Sequence, residues 1–290
     1  MIRFIAFLFF ISLFDYGYSQ AFSTDAPLFS TNSIIKSVES PQWSSDSEKL
    51  VFSGYVNGNW NVFIYNVKND SLFNISDSLV NERMPVWHPD GVNIVYDRMQ
   101  NGIHKLFICD SRTYENKALI DRDIKCSQAS FSKSENLICF LGFDEIKESW
   151  QVYTYDFIYD NLNQLTNHKT SCNNPNFSPD GKHILYELIS NKLDTTLYMV
   201  NWYGNTELVI DTIEAYSPSW DEKSWRFYFL GKDEHSNIEI YSLRRNGESL
   251  VQLTNNNLLE KDFILSPNGR YAALIIQENY NKRLIIVAIK

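Results

Sequence analysis

One short pattern recurs six times along the chain and constrains the fold more than any other feature. Each copy is a tetrapeptide with a bulky apolar residue, here called the anchor, at its third position. The anchors are Trp43, Trp87, Phe131, Phe177, Trp220 and Leu265. They are separated by 44, 44, 46, 43 and 45 positions, which is within the range of four-stranded propeller blades. The spacing therefore predicts six blades of one β-propeller.

A turn follows each anchor, and its residue types explain why the chain reverses there. The clearest copies are His88-Pro89-Asp90-Gly91, Ser178-Pro179-Asp180-Gly181 and Ser266-Pro267-Asn268-Gly269. Pro presets φ, Asp or Asn accepts local backbone hydrogen bonds, and Gly takes a left-handed conformation. The turns of the first, third and fifth copies lack Pro and Gly. We expect those loops to differ in detail while the neighbouring strands keep their register.

Apolar segments after each turn favour a second and a third strand, and five repeats have a fourth. The sixth repeat reaches Lys290 directly after its third strand. Leu28-Phe29 lie 44 positions before Leu72-Phe73, which belong to the fourth, outer strand of the first repeat. We therefore predict that residues 27–31 form the outer strand of the last blade and close the ring.

The aromatic anchor followed by Ser-Pro-Asp-Gly, with strand endings such as Leu165-Thr166 and Leu253-Thr254, resembles the TolB-like or WD-like propeller repeat. The resemblance covers residues 27–290. It implies an all-β, six-bladed propeller with four-stranded antiparallel blades, and it does not specify a function. TolB itself carries an α/β domain before its propeller, whereas this sequence has only a few residues there. The resemblance thus favours a stand-alone propeller.

The first residues are typical of an export signal. A basic start at Met1-Ile2-Arg3 precedes an almost unbroken apolar run over 4–14, and Gly17 and Ser19 are small. The run is shorter than the roughly 20 residues that span a bilayer. We expect a signal peptide at 1–19, a short extension at 20–26 and the propeller at 27–290. The exported protein, periplasmic or extracellular, would then keep no transmembrane segment.

Charge and cysteine content narrow the possible partners. The net charge of −9 and the lack of a basic stripe argue against nucleic acid. The four cysteines form no C-x-x-C pair, so a zinc site is not expected. Cys126 and Cys172 lie at equivalent points of adjacent blades. They are expected to be free and buried, and a disulfide between them is the alternative.

Motifs that would indicate catalysis or a cofactor are absent from the sequence. It has no G-x-S-x-G, G-x-G-x-x-G, P-loop or H-E-x-x-H pattern. Some pectate-fragment lyases resemble this repeat and hold a metal with several histidines in the propeller mouth. The five histidines here fall at different blade positions: His88, His104, His168, His183 and His235. We therefore assign no catalytic residue, metal or cofactor.

The mouth of the central channel is the expected binding surface, because a propeller presents its innermost strands and their loops around one axis. Residues three and four positions before the anchors should line it, and they differ from blade to blade. The candidate binding residues are Glu39, Arg83, Asn173, Tyr216, Lys261 and Asp262. Glu39 and Asp262 would come near each other across the ring closure, as the two acids of a glycosidase do.

Trp60 and Trp150 occupy equivalent starts of third strands, where they either form a recognition patch or pack. The leading hypothesis is a non-catalytic binding or scaffold protein of the bacterial cell envelope. It would act as a monomer and hold a protein or envelope component on one propeller face. The alternatives are a carbohydrate-active hydrolase or lyase at the channel mouth, and a small-ligand sensor.

Overall fold

The computed structural model describes residues 27–31, 34–76, 79–133, 136–190, 194–232, 235–255 and 258–289. The expected signal peptide at 1–19 and the extension at 20–26 lie outside the described residues. Within those ranges every regular element is a strand, and the strands form six four-stranded antiparallel sheets. The predicted six-bladed propeller is confirmed. The described part of the chain contains no helix long and apolar enough to cross a membrane.

Strands are numbered along the chain, and each blade runs from an inner strand to an outer one. The inner strands are β2 (Ser37–Trp43), β6 (Glu82–Trp87), β10 (Cys126–Phe131), β14 (Cys172–Phe177), β18 (Ala215–Trp220) and β22 (Glu260–Leu265). The second strands are β3 (Lys49–Val56), β7 (Asn93–Gln100), β11 (Leu137–Asp144), β15 (His183–Ile189), β19 (Arg226–Lys232) and β23 (Tyr271–Glu278). Blades 1 to 6 are named in this order.

The remaining two strands of each blade lie farther from the axis. The third strands are β4 (Asn59–Asn66), β8 (Ile103–Asp110), β12 (Ser149–Asp156), β16 (Thr195–Asn201), β20 (Ile238–Arg244) and β24 (Asn281–Ala288). The outer strands are β5 (Ser71–Asn74), β9 (Asn116–Ala118), β13 (Asn161–Gln164), β17 (Thr206–Ile210), β21 (Val251–Gln252) and β1 (Phe29–Ser30).

The ring is closed by the N-terminal strand, as the sequence predicts. Strand β1 pairs with β24, so blade 6 combines both ends of the described chain. The backbone N–H of Leu28 donates to Ile286 O at 2.7 Å, and that of Thr31 donates to Leu284 O at 3.1 Å. Phe29 stacks on Tyr65 of blade 1 with ring centroids 3.9 Å apart. The closing strand therefore also contacts the neighbouring blade.

The hydrophobic core lies between adjacent blades. Second and third strands are buried on both faces, which explains their nearly continuous apolar runs. Anchor indoles add hydrogen bonds across the blade interfaces: Trp43 Nε1 donates to Ile264 O at 3.3 Å, and Trp220 Nε1 donates to Asn176 O at 3.1 Å. The repeated aromatic anchor thus holds neighbouring inner strands together.

The first and fifth turns, which lack Pro and Gly, keep the left-handed conformation of the complete ones. Gly181 has φ of 68°, and serines take this place in the first and fifth turns: Ser47 at 61° and Ser224 at 60°. Ser224 Oγ accepts a hydrogen bond from Asp180 N of blade 4 at 2.9 Å. A side chain that bonds the neighbouring blade therefore compensates for the less favourable backbone conformation. The strands on both sides keep their register, as expected.

The Leu-Thr strand endings have a structural role. Thr166 Oγ1 accepts a hydrogen bond from Val152 N at 2.8 Å, and Thr254 Oγ1 accepts one from Ile240 N at 2.8 Å. Each threonine thereby satisfies a buried backbone donor at the start of a third strand. Thr31, after the closing strand, accepts from Leu284 N at 3.2 Å in the same way.

The four cysteines are buried and free, as the sequence favours. Cys126 packs in the hydrophobic cluster between blades 2 and 3, whereas Cys172 packs in the cluster between blades 3 and 4. The alternative disulfide between them is therefore not formed. Burial raises the pKa of both thiols to about 11.

Candidate binding site at the channel mouth

The two ends of the channel are distinguished by their loops. The mouth face carries the hairpin loops between second and third strands, including residues 57–58, 101–102, 145–148 and 279–280. The turn face carries the turns after the anchors, including residues 44–48, 88–92, 178–182, 221–225 and 266–270. Inner strands start at the mouth face and end at the turn face. All six candidate binding residues therefore lie in the mouth half of the inner strands.

A β-bulge interrupts each inner strand beside these residues. In five blades the residue three positions before the anchor takes a left-handed conformation. These residues are Ser40, Met84, Gln128, Asn174 and Ser217, with φ between 46° and 53°. Pro follows four of them, and a bulge tolerates Pro because the ladder is already broken there. In blade 6, where Phe263 replaces Pro, the register shifts between Glu260 and Asp262 instead.

Side chains of the preceding blade accept hydrogen bonds from these bulge N–H groups. Met84 N donates to Ser53 Oγ at 3.0 Å, Gln128 N donates to Asp97 Oδ1 at 3.0 Å, and Ser217 N donates to Glu187 Oε1 at 2.6 Å. Ser53, Asp97 and Glu187 occupy one position of the second strands, opposite the residues four before the anchors. Blade 3 has Leu141 at that position, and leucine cannot accept a hydrogen bond. The bulge N–H of Asn174 in blade 4 therefore donates to Gln128 Oε1 of blade 3 instead, at 2.7 Å.

These acceptors were not predicted, although the sequence contains a signal for them. Asp97 and Glu187 are carboxylates directly after the apolar triplets 94–96 and 184–186, at equivalent positions of two blades. Burial raises the pKa of Asp97 to about 7, against the opposing effect of its hydrogen bonds from Ser127 and Gln128. Burial also raises the pKa of Glu187. These acids stabilise the contacts between blades at the channel.

Arg83 is the central residue of the mouth face. Its guanidinium forms an ion pair with Glu39 of the adjacent blade, and this pairing raises the pKa of Arg83. The same guanidinium lies 4.8 Å from the ring centroid of Trp60, within the range of a cation–π contact. Trp60 in turn contacts Tyr55, with centroids 5.5 Å apart. Two predicted residues and a candidate tryptophan thus form one cluster.

A second aromatic group continues this cluster toward blade 3. The ring of His104 is 6.3 Å from Trp150, which packs edge-on against Phe143 at 5.3 Å. Desolvation and the nearby Arg83 lower the pKa of His104, and its Nδ1 atom is buried without a hydrogen-bond partner among the described residues. A cavity of about 100 Å³ lies beside it, lined by Arg83, Asp97 and His104 among others. We call Tyr55, Trp60, Arg83, His104, Phe143 and Trp150 the mouth cluster.

The other candidate residues have separate surroundings. Asn173 accepts from Gln128 Nε2 at 2.8 Å and donates to Glu187 at 2.7 Å. Tyr216 packs on the hydrophobic cluster between blades 5 and 6. Lys261 is half-buried in the bulge of blade 6. The structure therefore brings together Glu39 and Arg83 but does not join these three residues to them.

Asp262 does not form the expected pair with Glu39. It accepts a hydrogen bond from the Ser217 hydroxyl, and the nearby carboxylate that acts on it is Glu187. Desolvation by burial, aided by Glu187, raises the pKa of Asp262 to about 7. Glu39 is held by Arg83 instead. The two acids of the proposed glycosidase pair thus have different partners.

The histidines occupy different parts of the propeller. His88 contacts Asp90 on the turn face, His168 bonds the Tyr186 hydroxyl at 2.8 Å, and His183 bonds Arg245. In the described ranges no three side chains of His, Cys, Asp or Glu come together in a way that could hold a metal ion.

The family of the chain is shown by its match to a known domain family. A family profile described as TolB beta propeller domain matches residues 28–225. The chain belongs to the TolB β-propeller family. No curated protein matches its sequence. Because the family profile covers more than half of the chain, the expected resemblance is confirmed.

Solved structures show the same fold at low sequence identity. TolB from Acinetobacter baumannii is 14% identical with a TM-score of 0.69, and the match covers 85% of this chain but only 65% of that one. An oligogalacturonate lyase in complex with manganese is 11% identical with a TM-score of 0.65, covering 88% and 89%. The propeller domain of the trilobed protease from Pyrococcus furiosus is 14% identical with a TM-score of 0.58, covering 88% and 82%. At such low sequence identities, the structural similarity establishes the fold alone.

Proposed function

We propose that this TolB-family propeller is a non-catalytic binding or scaffold protein of the bacterial cell envelope. A signal peptide at 1–19 would export it, and it would act as a monomer that holds a protein or an envelope component on its mouth face. The observation that carries the proposal is the mouth cluster. There the Arg83 guanidinium lies against Trp60, and His104, which is near Arg83, contacts Trp150.

The mouth cluster has the chemistry of a binding surface. Tryptophan, tyrosine and arginine are the side chains most enriched at the energetic centres of protein interfaces. The ion pair with Glu39 and the contact with Trp60 hold the Arg83 guanidinium in one orientation, so little side-chain entropy is lost on binding. A partner that supplies an apolar or aromatic group and an acceptor would fit.

The alternative is a carbohydrate-active hydrolase or lyase at the channel mouth. Two observations favour it: the similarity in fold to an oligogalacturonate lyase, and the two channel carboxyls Asp97 and Asp262, whose pKa values are raised to about 7. A carboxylic acid with such a pKa suits general acid catalysis at neutral pH. Against this role, Asp97 already accepts hydrogen bonds from Ser127 and Gln128.

The test compares partner capture by matched variants. The chain from residue 20 onward is immobilised and exposed to envelope extract as wild type, Trp60→Ala, Arg83→Gln and Tyr203→Ala. Tyr203 is 89% exposed on the turn face and serves as the control. We expect one specific partner to be retained by wild type and Tyr203→Ala and to be lost from the two mouth variants, with unchanged melting temperatures. Equal capture by all four would contradict the mouth-face proposal.

A parallel assay separates binding from catalysis. The same proteins are incubated with oligogalacturonates and other envelope or plant glycans, and products are analysed by mass spectrometry. Turnover by wild type that is lost in Asp97→Asn or Asp262→Asn would support the carbohydrate-active alternative. Turnover of a glycan by the wild type would also contradict the proposal of a non-catalytic scaffold.

A further inference from the structure

A second cleft lies on the turn face, between blades 4 and 5 and away from the mouth cluster. Its volume is about 690 Å³. It is lined by residues that include His183, Met199, Trp225, Arg226, Arg244 and Arg245. Volumes of this size are typical of binding clefts. The propeller repeat does not explain this composition, because the other five blades have no equivalent Trp-Arg and Arg-Arg pairs at the same positions.

Three guanidiniums converge here although the chain as a whole carries a net charge of −9. Arg226 and Arg244 are directly opposite each other on strands β19 and β20. Directly opposite residues of an antiparallel pair extend from the same face of the sheet, and like charges in this arrangement are destabilising. Arg226 Nη1 donates to Ser242 Oγ at 3.3 Å, and a bound anion would further reduce the repulsion between the two guanidiniums. The exposed Arg244 has no ion pair with any residue that the structure describes.

Arg245 is fixed in place as the third cation. Its Nη1 is 3.1 Å from Asp180 Oδ2, and its Nη2 donates to a ring nitrogen of His183 at 2.7 Å. A ring nitrogen can accept from a guanidinium only when it is unprotonated. Desolvation, together with Arg245, lowers the pKa of His183 and keeps the ring neutral. Blade 4 thereby orients a cation of blade 5 at the cleft.

Trp225 supplies an apolar surface next to these charges. Its side chain is 69% exposed, although tryptophan is normally well buried. Lys223 Nζ lies 5.3 Å from the ring centroid and flanks one side of the indole. An exposed indole beside three guanidiniums combines the two side chains most typical of protein-recognition sites.

We propose that this cleft binds an acidic peptide segment of a protein partner. Carboxylates of the segment would contact Arg226 and Arg244, and an apolar side chain would lie on Trp225. A small organic acid is a poorer fit, because small-molecule sites bury most of the ligand, whereas Trp225 and Arg244 are exposed. Glu207 on the wall also disfavours a densely charged polyanion and suits a segment in which acidic and apolar residues alternate. The inference is independent of the function proposed for the mouth face.

Fluorescence anisotropy tests the proposal with a fluorescein-labelled decapeptide of alternating glutamate and leucine. The same peptide with glutamine in place of glutamate is the ligand control. At low ionic strength we expect the wild type to bind the glutamate peptide and not the glutamine peptide. Arg244→Gln and Trp225→Ala should each weaken binding about tenfold, because each removes a central contact.

A matched protein control makes the test specific. Arg270→Gln removes one exposed arginine from the turn face of blade 6 and should leave binding unchanged. Melting temperatures confirm that each variant is folded. Absence of binding by the wild type, or equal weakening by Arg244→Gln and Arg270→Gln, would overturn the proposal. Trp225-dependent binding of an oligogalacturonate without binding of the peptide would replace it with an acidic glycan site.

Discussion

The closing strand gives the sharpest test of the fold, because five residues complete a ring of more than 250. The perturbation is a chain that begins at residue 32 instead of residue 20. It removes the backbone hydrogen bonds of Leu28 and Thr31, the side-chain acceptor for Leu284 N, and the stacking of Phe29 on Tyr65. Strand β24 would then have an unpaired edge in blade 6.

The magnitude follows from these contacts. Three hydrogen bonds at about 1 kcal/mol each amount to about 3 kcal/mol. Phe29 is partly buried, so its loss should cost about 2 kcal/mol, roughly half of a fully buried Phe→Ala change. The total of about 5 kcal/mol is a large share of the stability of a typical domain. It should lower the melting temperature by about 10 °C or more.

Urea and thermal denaturation followed by circular dichroism measure the effect. Phe29→Ala alone should destabilise the protein by about 2 kcal/mol. The matched control is Phe73→Ala, at the equivalent position of the outer strand of blade 1, where the side chain is 47% exposed and should contribute less than about 1 kcal/mol. A truncated chain that melts within about 3 °C of the full one would refute the closure argument.

Three further predictions concern the interior. Burial raises the pKa of Asp97 from 3.8 to about 7, so its ionisation lowers the stability of the wild type as the pH rises from about 4 to 7. Whatever Asp97→Asn costs at pH 5.5, its free energy of unfolding should fall less than that of the wild type between pH 5.5 and 8, and parallel pH profiles of the two melting temperatures would contradict this. Thr166→Val should cost about 1–3 kcal/mol in urea denaturation by leaving Val152 N unpaired, whereas Thr166→Ser should retain most of the stability. All four cysteines should react with a thiol reagent only after unfolding; a Cys126–Cys172 disulfide would leave two reactive thiols instead of four.

The blade count, the turns and the closing strand could be predicted because they depend on residues that repeat. An anchor every 43 to 46 positions sets the register of each blade, and the equivalence of Phe29 and Phe73 locates the closing strand. The surroundings of the candidate binding residues were harder to predict because they depend on contacts between blades. Trp60 and Trp150 each pack on the aromatic residue opposite, yet Trp60 also contacts Arg83 of the next blade, whereas Trp150 contacts His104 of the preceding one.

The bulges were missed for a different reason, although the Pro that follows four of the left-handed residues is a signal for them. Residues as different as Met84, Gln128 and Ser217 share the left-handed conformation, so residue type gives no signal for it. A bulge exposes an N–H group that the broken ladder cannot satisfy, and the structure supplies acceptors from the preceding blade. The presence of Asp97 and Glu187 at these positions is therefore explained by the bulge in the next blade, whose N–H group donates a hydrogen bond to each of them. Comparing equivalent positions of the six repeats does not reveal such contacts between blades.

This arrangement also determines which mouth residues remain available to a ligand. Asp97, Gln128, Asn173 and Glu187 already bond the backbone or side chains of neighbouring blades, and a ligand that engaged them would have to compete with those bonds. Among the described residues the indole N–H groups of Trp60 and Trp150 make no such hydrogen bond, although Trp150 also packs against the core between blades 3 and 4. Recognition at the mouth should therefore depend more on the hairpin side chains of blades 1 to 3 than on these hydrogen-bonded residues beside the channel. Substitutions of the hydrogen-bonded residues should lower stability, whereas substitutions at the hairpins should change binding.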